Sequence, residues 1–294
     1  MANYPKAIVY FIGSLLVSVN NDILSKLLST AGLPAGEITF FRLSLGVFYL
    51  LGYRLYSREV GKATVFFPRQ ILRGALFVLA STLWTYGLKA GTISTATLMN
   101  FSIPIFILVL SPILLKEVVS RKNWIFSIVG LSGVAVLLWP GFAFSIFYSC
   151  SLIFLIAVLF FALLDIINKK YVDQESLFVT IFYPTCIALV LTLPSLLWST
   201  WVMPSARQWV LLSLLGIGGN AILYLSLKAY RLSSIVSLAP LRYLELLFSL
   251  SAGYIFFGQI PGKYEIIGGV IIVPSVLFMI YDKYSKDSNE FGQF

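Results

Sequence analysis

Long apolar segments alternate with short polar breaks along the whole chain. Each segment is close to the roughly 20 residues that an α-helix needs to cross the hydrocarbon core of a bilayer. The connections between segments are short and leave no room for a soluble domain. The pattern therefore predicts an all-α integral membrane protein with ten transmembrane helices. The predicted spans are 7–28, 35–55, 70–89, 93–115, 123–140, 146–168, 176–199, 207–229, 233–257 and 264–281.

The composition of the 294 residues supports this prediction. Hydrophobic residues make up 59% of the chain and charged residues 11%, and the mean hydropathy is +0.92. Soluble domains carry roughly 25% charged residues, so this chain has too few polar side chains to cover a soluble globule. Membrane lipid is thus its natural surrounding, and the excess of Lys and Arg indicates membrane topology rather than binding of nucleic acid.

The chain lacks the residues that most enzyme active sites use. It contains no His, and its two cysteines, Cys150 and Cys186, lie within apolar segments. This excludes His-based acid–base chemistry and argues against transition-metal sites. A lipid-modifying transferase would also need a carboxylate cluster or a soluble catalytic face, so we expect no enzyme activity, no catalytic residues, no metal and no cofactor.

The distribution of Lys and Arg over the predicted loops tests the number of spans independently. Fifteen basic residues fall on one side of the membrane and three on the other, in strict alternation. The rich side has Lys6, Arg54, Arg58, Lys62, Arg69, Arg73, Lys116, Arg121, Lys122, Lys169, Lys170, Lys228, Arg231, Lys283 and Lys286, and the poor side has Lys89, Arg207 and Lys263. Since cytoplasmic loops retain basic residues, we predict cytoplasmic N- and C-termini. The first segment is then a retained helix rather than a cleaved signal peptide.

The two halves of the chain resemble each other. Asp22-Ile23-Leu24-Ser25-Lys26 in the first span matches Asp165-Ile166-Ile167-Asn168-Lys169 in the sixth. Five spans are an odd number, so the second half would enter the membrane from the opposite side, as in the inverted repeats of secondary transporters. The predicted units are a first repeat at 1–141, a second repeat at 142–283 and a cytoplasmic tail at 284–294.

A fourth span that reads Ser102-Ile103-Pro104-Ile105-Phe106 and closes on Lys116-Glu117 resembles the drug/metabolite transporter superfamily, EamA-type, over nearly the whole chain. Three strings resemble the S-adenosylmethionine uptake transporters of obligate intracellular bacteria. These strings are Trp84–Leu88, Leu164–Lys170 and Ala239–Leu246. Gln259 departs from the pattern, since an acidic residue like Glu117 often stands there.

The resemblance implies a secondary transporter that takes up S-adenosylmethionine in exchange for S-adenosylhomocysteine. Proton-coupled and passive transport stay open, as does the oligomeric state. The alternative is an exporter of amino acids or amphipathic metabolites with the same fold.

Charged residues inside spans are costly and require a partner or a role. Asp22 and Asp165 stand four residues before Lys26 and Lys169, so each aspartate either pairs within its own helix or lines the transport pathway. Arg242 and Glu245, which follow Pro240, form the strongest polar pair of the sequence. Either they make a structural salt bridge, or Arg242 binds a substrate carboxylate while Glu245 holds Arg242 or meets a substrate cation.

Aromatic residues deep in the spans are candidates for stacking adenine and attracting a sulfonium through cation–π contacts, with packing as the alternative. Asn100 aligns with Arg242 between the halves. The predicted substrate-binding residues are Arg242, Glu245, Asp22, Asp165, Asn100, Trp84, Tyr86, Tyr183 and Tyr243. Further wall candidates, which more commonly form interhelical hydrogen bonds, are Arg42, Asn20, Asn21 and Asn220.

Overall fold

The computed structural model describes residues 4–57, 66–90, 99–137, 149–196, 201–257, 260 and 262–291. In these ranges the regular structure is entirely helical. The helices are α1 (Tyr4–Thr30), α2 (Ala35–Ser57), α3 (Phe67–Ala90), α4 (Ile103–Leu114), α5 (Arg121–Leu137), α6 (Ser149–Tyr171), α7 (Leu177–Leu196), α8 (Ala206–Leu232), α9 (Ile235–Leu238), a 3₁₀ turn (Ala239–Arg242), α10 (Tyr243–Phe257) and α11 (Lys263–Phe291).

Local sequence signals explain several helix ends. Pro104 lies in the first turn of α4, where its missing N–H would have had no intrahelical partner. The chain forms a turn at Phe101 and Ser102 just before it, inside the predicted span 93–115. At the start of α8, Ser205 and Gln208 form a capping box, in which each side chain accepts a hydrogen bond from the other residue's backbone amide.

The predicted span 233–257 is a broken helix. The four-residue α9 is followed by the 3₁₀ turn, and the α-helical hydrogen-bond pattern returns only at Tyr243. Pro240 lies in the first turn of the 3₁₀ segment, where it lacks an N–H to donate. The break in the α-helix therefore begins at Pro240 and its neighbours and includes Arg242.

The last helix extends beyond its predicted span. α11 continues to Phe291, whereas the apolar segment was predicted to end at 281 and a tail to begin at 284. The prediction followed hydropathy, which marks the membrane boundary. Polar residues such as Lys and Glu continue a helix readily, so the helix outlasts its apolar part.

Six helical segments of the described chain are long and apolar enough to cross a membrane. They are Tyr4–Thr30, Ala35–Tyr56, Leu152–Tyr171, Leu177–Pro194, Ala206–Leu232 and Ile235–Ala252. Two shorter helices, Ile103–Leu114 and Ile266–Asp282, are also apolar. The chain is thus a multi-pass membrane protein.

The helices pack in a regular set of pairs. α1 lies against α8 and α10, and α6 lies against α3 and α4. α2 contacts α7 and α8, α3 contacts α7, and α5 packs against α11. Small residues on α8 permit close approach: a Cβ at Gly216 would lie 3.1 Å from the carbonyl oxygen of Arg42 on α2, and one at Gly218 would collide with Asn21 on α1.

Polar contacts join the loops at two separate sets of positions. In the first set, Arg73 pairs with Glu175 at 2.6 Å, and Arg231 donates to the carbonyls of Val172 and Glu175. Lys122 also pairs with Asp282. We call this set the basic end, and its members come from breaks assigned to the Lys- and Arg-rich side.

The second set joins loops assigned to the other side. Glu37 accepts a 2.7 Å hydrogen bond from the backbone amide of Val202, and Gln208 donates to the carbonyl of Ala31 at 3.1 Å. Phe41 meets Trp201 and Trp209 edge to face. The contacts therefore follow the same division of loops that the basic residues indicate.

Candidate functional site

Five ionisable side chains from separate elements meet within the bundle. They are Asp22 on α1, Arg42 on α2, Asp165 on α6, Arg242 in the 3₁₀ turn and Glu245 on α10. Arg242 interacts electrostatically with Asp165 and Glu245, and Asp22 with Glu245 and Arg42. We call this set the ionic cluster. It contains two cations and three carboxylates.

One face of α1 brings this helix to the cluster. Phe11, Ser18 and Asp22 are 7 and then 4 residues apart, which places them on one side of a helix with 3.6 residues per turn. The Arg242 guanidinium lies 5.9 Å from the centre of the Phe11 ring, and Ser18 donates a 2.6 Å hydrogen bond to Glu245. Asp22 is exposed on this same face, so water-sized molecules reach the cluster.

The guanidinium of Arg242 forms an ion pair with the carboxylate of Asp165. Two pairings that local spacing had offered, Arg242 with Glu245 and Asp165 with Lys169, are therefore corrected. Arg242 does not take Glu245 as its ion-pair partner, because the 3₁₀ turn ends between them and the regular three-residue register is lost. Asp165 does not pair with Lys169, whose ammonium donates to the carbonyl of Tyr230 instead.

The Arg242–Asp165 pair is reachable, unlike the other described Arg–carboxylate pair. The exposed fractions of the two side chains are 19% and 18%, whereas those of Arg73 and Glu175 are 0% and 7%. Among the described residues, the Arg242 Nε is buried and has no hydrogen-bond partner. A ligand would reach this donor only when the ion pair opens.

Tyr230 completes this side of the cluster. Its side chain is buried, its ring lies 6.1 Å from that of Phe11, and its hydroxyl interacts electrostatically with Asp165 and Arg242. Buried polar groups are normally paired, and Asp165 and Arg242 are the groups that this hydroxyl meets.

Arg42 lies on the other side of the ionic cluster, and asparagine side chains make interhelical contacts near it. A Cβ at Gly219 would lie 3.1 Å from the Arg42 Nε, so the absence of a side chain there makes room for the guanidinium. Asn220 donates a 2.9 Å hydrogen bond to the carbonyl of Gly46, and Asn21 donates one of 3.4 Å to Leu215. These two asparagines thus form interhelical hydrogen bonds, while Asn20 is exposed.

Trp84 lies beside the cluster. Its ring meets those of Phe154 and Phe161 on α6 edge to face, at centroid distances of 5.2 and 6.5 Å. Phe161 precedes Asp165 by four residues, about 6 Å along the helix axis. Trp84 is partly exposed, so an aromatic surface is available on the face of α6 that carries Asp165, more than one helical turn from that residue.

The other predicted aromatic residues are elsewhere. Tyr183 packs against Phe67 and Phe182. Tyr243 is wholly buried against α5, where its hydroxyl donates a 2.9 Å hydrogen bond to the carbonyl of Ser127. A Cβ at Gly130 would collide with its ring.

Asn100, Tyr86 and Gln259 complete the set of residues that the sequence singled out. Asn100 is partly buried shortly before α4. Tyr86 and Gln259 lie outside the residues whose side chains are described.

Three residues of the site were missed from the sequence. Ser18 and Phe11 share the helical face of Asp22, so the periodicity of α1 would have found them. Tyr230 stands near a helix end beside Arg231, and nothing in its local sequence points to the centre of the bundle.

In the described residues no group of three or more His, Cys, Asp or Glu side chains is arranged to hold a metal ion.

A multi-pass helical bundle that keeps a reachable ionic cluster beside a broken helix has the architecture of a membrane transporter. The chain belongs to the EamA-like transporter family, whose profile matches residues 5–139 and, a second time, residues 148–281. The resemblance stated from the sequence is thereby confirmed, and the protein is a transporter rather than an enzyme.

Several curated relatives match over nearly their full length. The chain is 38% identical to the S-adenosylmethionine uptake transporter of Rickettsia bellii over 96% of both chains. It is 36% identical to that of Rickettsia prowazekii, over 99% of this chain and 97% of the relative. The pseudopaline exporter CntI of Pseudomonas aeruginosa is 26% identical, over 89% and 91%. One crystal structure shares the fold with a TM-score of 0.81 at 18% identity, covering 92% of this chain and 95% of that chain.

Proposed function

We propose that this protein takes up S-adenosylmethionine across a bacterial inner membrane and releases S-adenosylhomocysteine in exchange. The observation that carries the proposal is the reachable ionic cluster of Asp22, Arg42, Asp165, Arg242 and Glu245. Trp84 packs against the same face of α6 as Asp165. The Rickettsia relatives of the same length, both named S-adenosylmethionine uptake transporters, support the choice of substrate.

The groups around the cluster match the chemical groups of the substrate. S-adenosylmethionine presents an adenine ring, a sulfonium, an ammonium and a carboxylate. Trp84 offers an aromatic surface for adenine, the carboxylates of Asp22 and Glu245 attract cations, and Arg242 suits a carboxylate. Asn100, Tyr86, Tyr183 and Tyr243 stay proposed contributors, although Tyr183 and Tyr243 pack against other aromatic and backbone groups in the conformation described here.

Transport through such a site requires that it open to each side of the membrane in turn. We propose ten spans arranged as two inverted five-helix repeats, with the basic end and both termini in the cytoplasm. Two matches to one family profile support the repeat. The packing does so as well, since α1 against α8 and α10 corresponds to α6 against α3 and α4 when the halves are exchanged.

Uptake of labelled S-adenosylmethionine into bacterial cells that express the protein tests this function. We expect uptake above that of cells with an empty vector, and stimulation when the cells are preloaded with S-adenosylhomocysteine. Uptake that ignores the preload but collapses with the proton gradient would replace exchange by proton coupling.

The alternative is export of amino acids or amphipathic metabolites, and the similarity to the pseudopaline exporter CntI favours it as the second candidate. Expressing cells that fail to accumulate S-adenosylmethionine, but lose preloaded amino acids faster than control cells, would select this alternative.

A further inference from the structure

We infer that the Arg242–Asp165 ion pair is the binding site for the α-amino-acid group of the substrate, and that Tyr230 donates a third hydrogen bond to it. In the empty protein the two side chains neutralise each other. On binding, the pair opens, so that Arg242 holds the α-carboxylate and Asp165 holds the α-ammonium. This inference deepens the proposed function and rests on it.

The charges of an amino-acid group match this pair one for one. The α-carboxylate and the α-ammonium of an amino acid are bonded to the same carbon atom. They present one negative and one positive charge side by side, as a guanidinium facing a carboxylate does. Exchanging the internal ion pair for two pairs with the ligand leaves no buried charge without a partner. A ligand with only one of the two charges would leave either Arg242 or Asp165 unpaired, which is costly in a span.

The geometry shows that the pair is ready for this exchange. Only one Arg242 nitrogen, Nη2, contacts Asp165, and the Nε has no partner among the described residues. A carboxylate binds a guanidinium best through two parallel hydrogen bonds, so Arg242 retains donor capacity for a ligand. The exposed fractions of 19% and 18% show that the pair is not sealed by the helices around it.

Tyr230 reaches both members of the pair. Its side chain is only 1% exposed, and its hydroxyl interacts with the carboxylate of Asp165 and with the guanidinium of Arg242. When the pair opens, this hydroxyl stays beside both charged groups and can donate to the carboxylate of the ligand.

The remaining acidic groups are available to the other cation of the substrate. S-adenosylmethionine carries one net positive charge, from its sulfonium. Once the amino-acid group is matched by Arg242 and Asp165, Asp22 and Glu245 are the acidic groups of the cluster that remain, and Arg42 is its remaining cation. The sulfonium therefore lies beside Asp22 and Glu245.

The first test uses the wild-type protein and needs no variant. Competition against uptake of labelled S-adenosylmethionine is measured with two pairs of compounds that differ only in the amino-acid group. The first pair is unlabelled S-adenosylmethionine and its decarboxylated form, and the second is S-adenosylhomocysteine and methylthioadenosine, which lacks the whole amino-acid group. In each pair we expect the second compound to compete at least about tenfold more weakly than the first, since it loses hydrogen bonds to charged groups. Equal competition within both pairs would overturn the inference while leaving the proposed function intact.

The second test compares two Tyr→Phe variants of the purified full-length protein. Tyr230→Phe should weaken S-adenosylmethionine binding about tenfold but leave methylthioadenosine binding unchanged. Tyr243→Phe is the control for stability, because its hydroxyl is paired with the carbonyl of Ser127. It should lower the melting temperature of the empty protein, since a paired buried hydroxyl is lost. A lower melting temperature with unchanged affinity for Tyr230→Phe would show a structural role and overturn the inference.

A third test separates binding from structural pairing. The double variant Asp165→Arg with Arg242→Asp restores an ion pair of reversed order. We expect the melting temperature to recover relative to each single variant, but not uptake, and recovered uptake would show that the pair is only structural. If the double variant does not fold, the competition series on the wild-type protein decides. If the wild-type protein takes up no S-adenosylmethionine, the proposed function fails.

In that case free zwitterionic amino acids test the inference by itself. They should raise the melting temperature of the wild-type protein more than that of Arg242→Lys, and equal increases would overturn the inference too.

Discussion

Ser18 on α1 donates a 2.6 Å hydrogen bond to Glu245 on α10, so residues from opposite halves of the chain meet at the ionic cluster. The carboxylate of Glu245 is therefore held from α1, while Arg242, three residues before it, pairs with α6. Glu245 and Arg242 thus attach the segment around the 3₁₀ turn to two different helices, α1 and α6. Any movement of α1 relative to α6 has to rearrange these contacts.

Removing the charge of Arg242 or of Glu245 should impair transport more than it impairs folding. We expect Arg242→Ala and Glu245→Ala to insert into the membrane but to reduce uptake severely, because Arg242→Ala leaves Asp165 without its ion-pair partner and Glu245→Ala removes an acidic group from the ionic cluster. Glu245→Gln keeps an acceptor for Ser18 and should transport as poorly as Glu245→Ala, whereas Ser18→Ala should retain more activity. Initial uptake rates normalised to membrane abundance measure this. Near-normal uptake by Arg242→Ala and Glu245→Ala would show the cluster to be peripheral.

Selectivity between the two proposed substrates should be modest. S-adenosylhomocysteine lacks only the sulfonium charge, so a cation contact worth about 1–2 kcal/mol should favour S-adenosylmethionine about 5- to 30-fold. Free adenosine and free methionine should compete weakly, since each fragment reaches only part of the site. The ratio of inhibition constants in an uptake assay gives the answer. Competition by free methionine equal to that of the whole molecule would favour the amino-acid exporter.

The sealed ion pair at the basic end should matter for stability. Arg73→Ala and Glu175→Ala should each destabilise the protein by about 3–5 kcal/mol, because each leaves the other charge buried without its partner. Thermal unfolding in detergent, together with the double variant, measures their coupling. The exposed pair of Lys122 and Asp282, whose side chains are 55% and 23% exposed, is the control and should contribute at most about 1 kcal/mol. Equal losses for both pairs would contradict the argument from burial.

Close packing of α5 against Tyr243 should make Gly130 sensitive to substitution. Gly130→Ala places a Cβ into the Tyr243 ring, and overpacking of this kind typically costs about 1–3 kcal/mol. Gly52→Ala is the matched control, since its Cβ would have nothing within 4 Å. A lower melting temperature for Gly130→Ala alone is the expected result, and an unchanged one would mean that the ring of Tyr243 moves freely.

Single-cysteine labelling checks the orientation in the membrane. In a variant without Cys150 and Cys186, cysteines at 29–34 and 141–145 should react with an impermeant reagent from outside, and cysteines at 59–66 only from inside. The 15 to 3 division of basic residues over the loops underlies this expectation. External labelling at 59–66 would end the ten-span assignment.

The sequence alone was sufficient to predict an all-helical membrane protein, because membrane insertion depends on properties that are local in the chain. Apolar length sets where a helix crosses, as in α1 and α6. A proline alone does not fix a break: the helix breaks at Pro240, whereas Pro112, Pro184, Pro194 and Pro274 lie inside continuous helices. Helix ends beyond the membrane were less predictable: α11 extends past its apolar part, since hydropathy does not report where a polar helix stops.

The candidate site was predictable by residue type but not by partner. Asp22, Asp165, Arg242 and Glu245 were chosen because a charge within a span is costly, and the structure brings these four together, while their role in binding stays a prediction. Local spacing offered Glu245 as a partner for Arg242 and Lys169 as a partner for Asp165, each as one of two alternatives. The rotation of each helix and the change to 3₁₀ geometry before Tyr243 pair Arg242 with Asp165 instead.

Membrane residence, the span pattern and the candidate charges are thus properties of the sequence itself, since the free energy of burying each segment is fixed by its own side chains. The tertiary structure decided which charges pair, that Tyr243 packs against α5, and that Tyr230 reaches the cluster from the end of α8. Those outcomes depend on contacts between helices far apart in the chain, where a shift of one residue or a small rotation changes every partner.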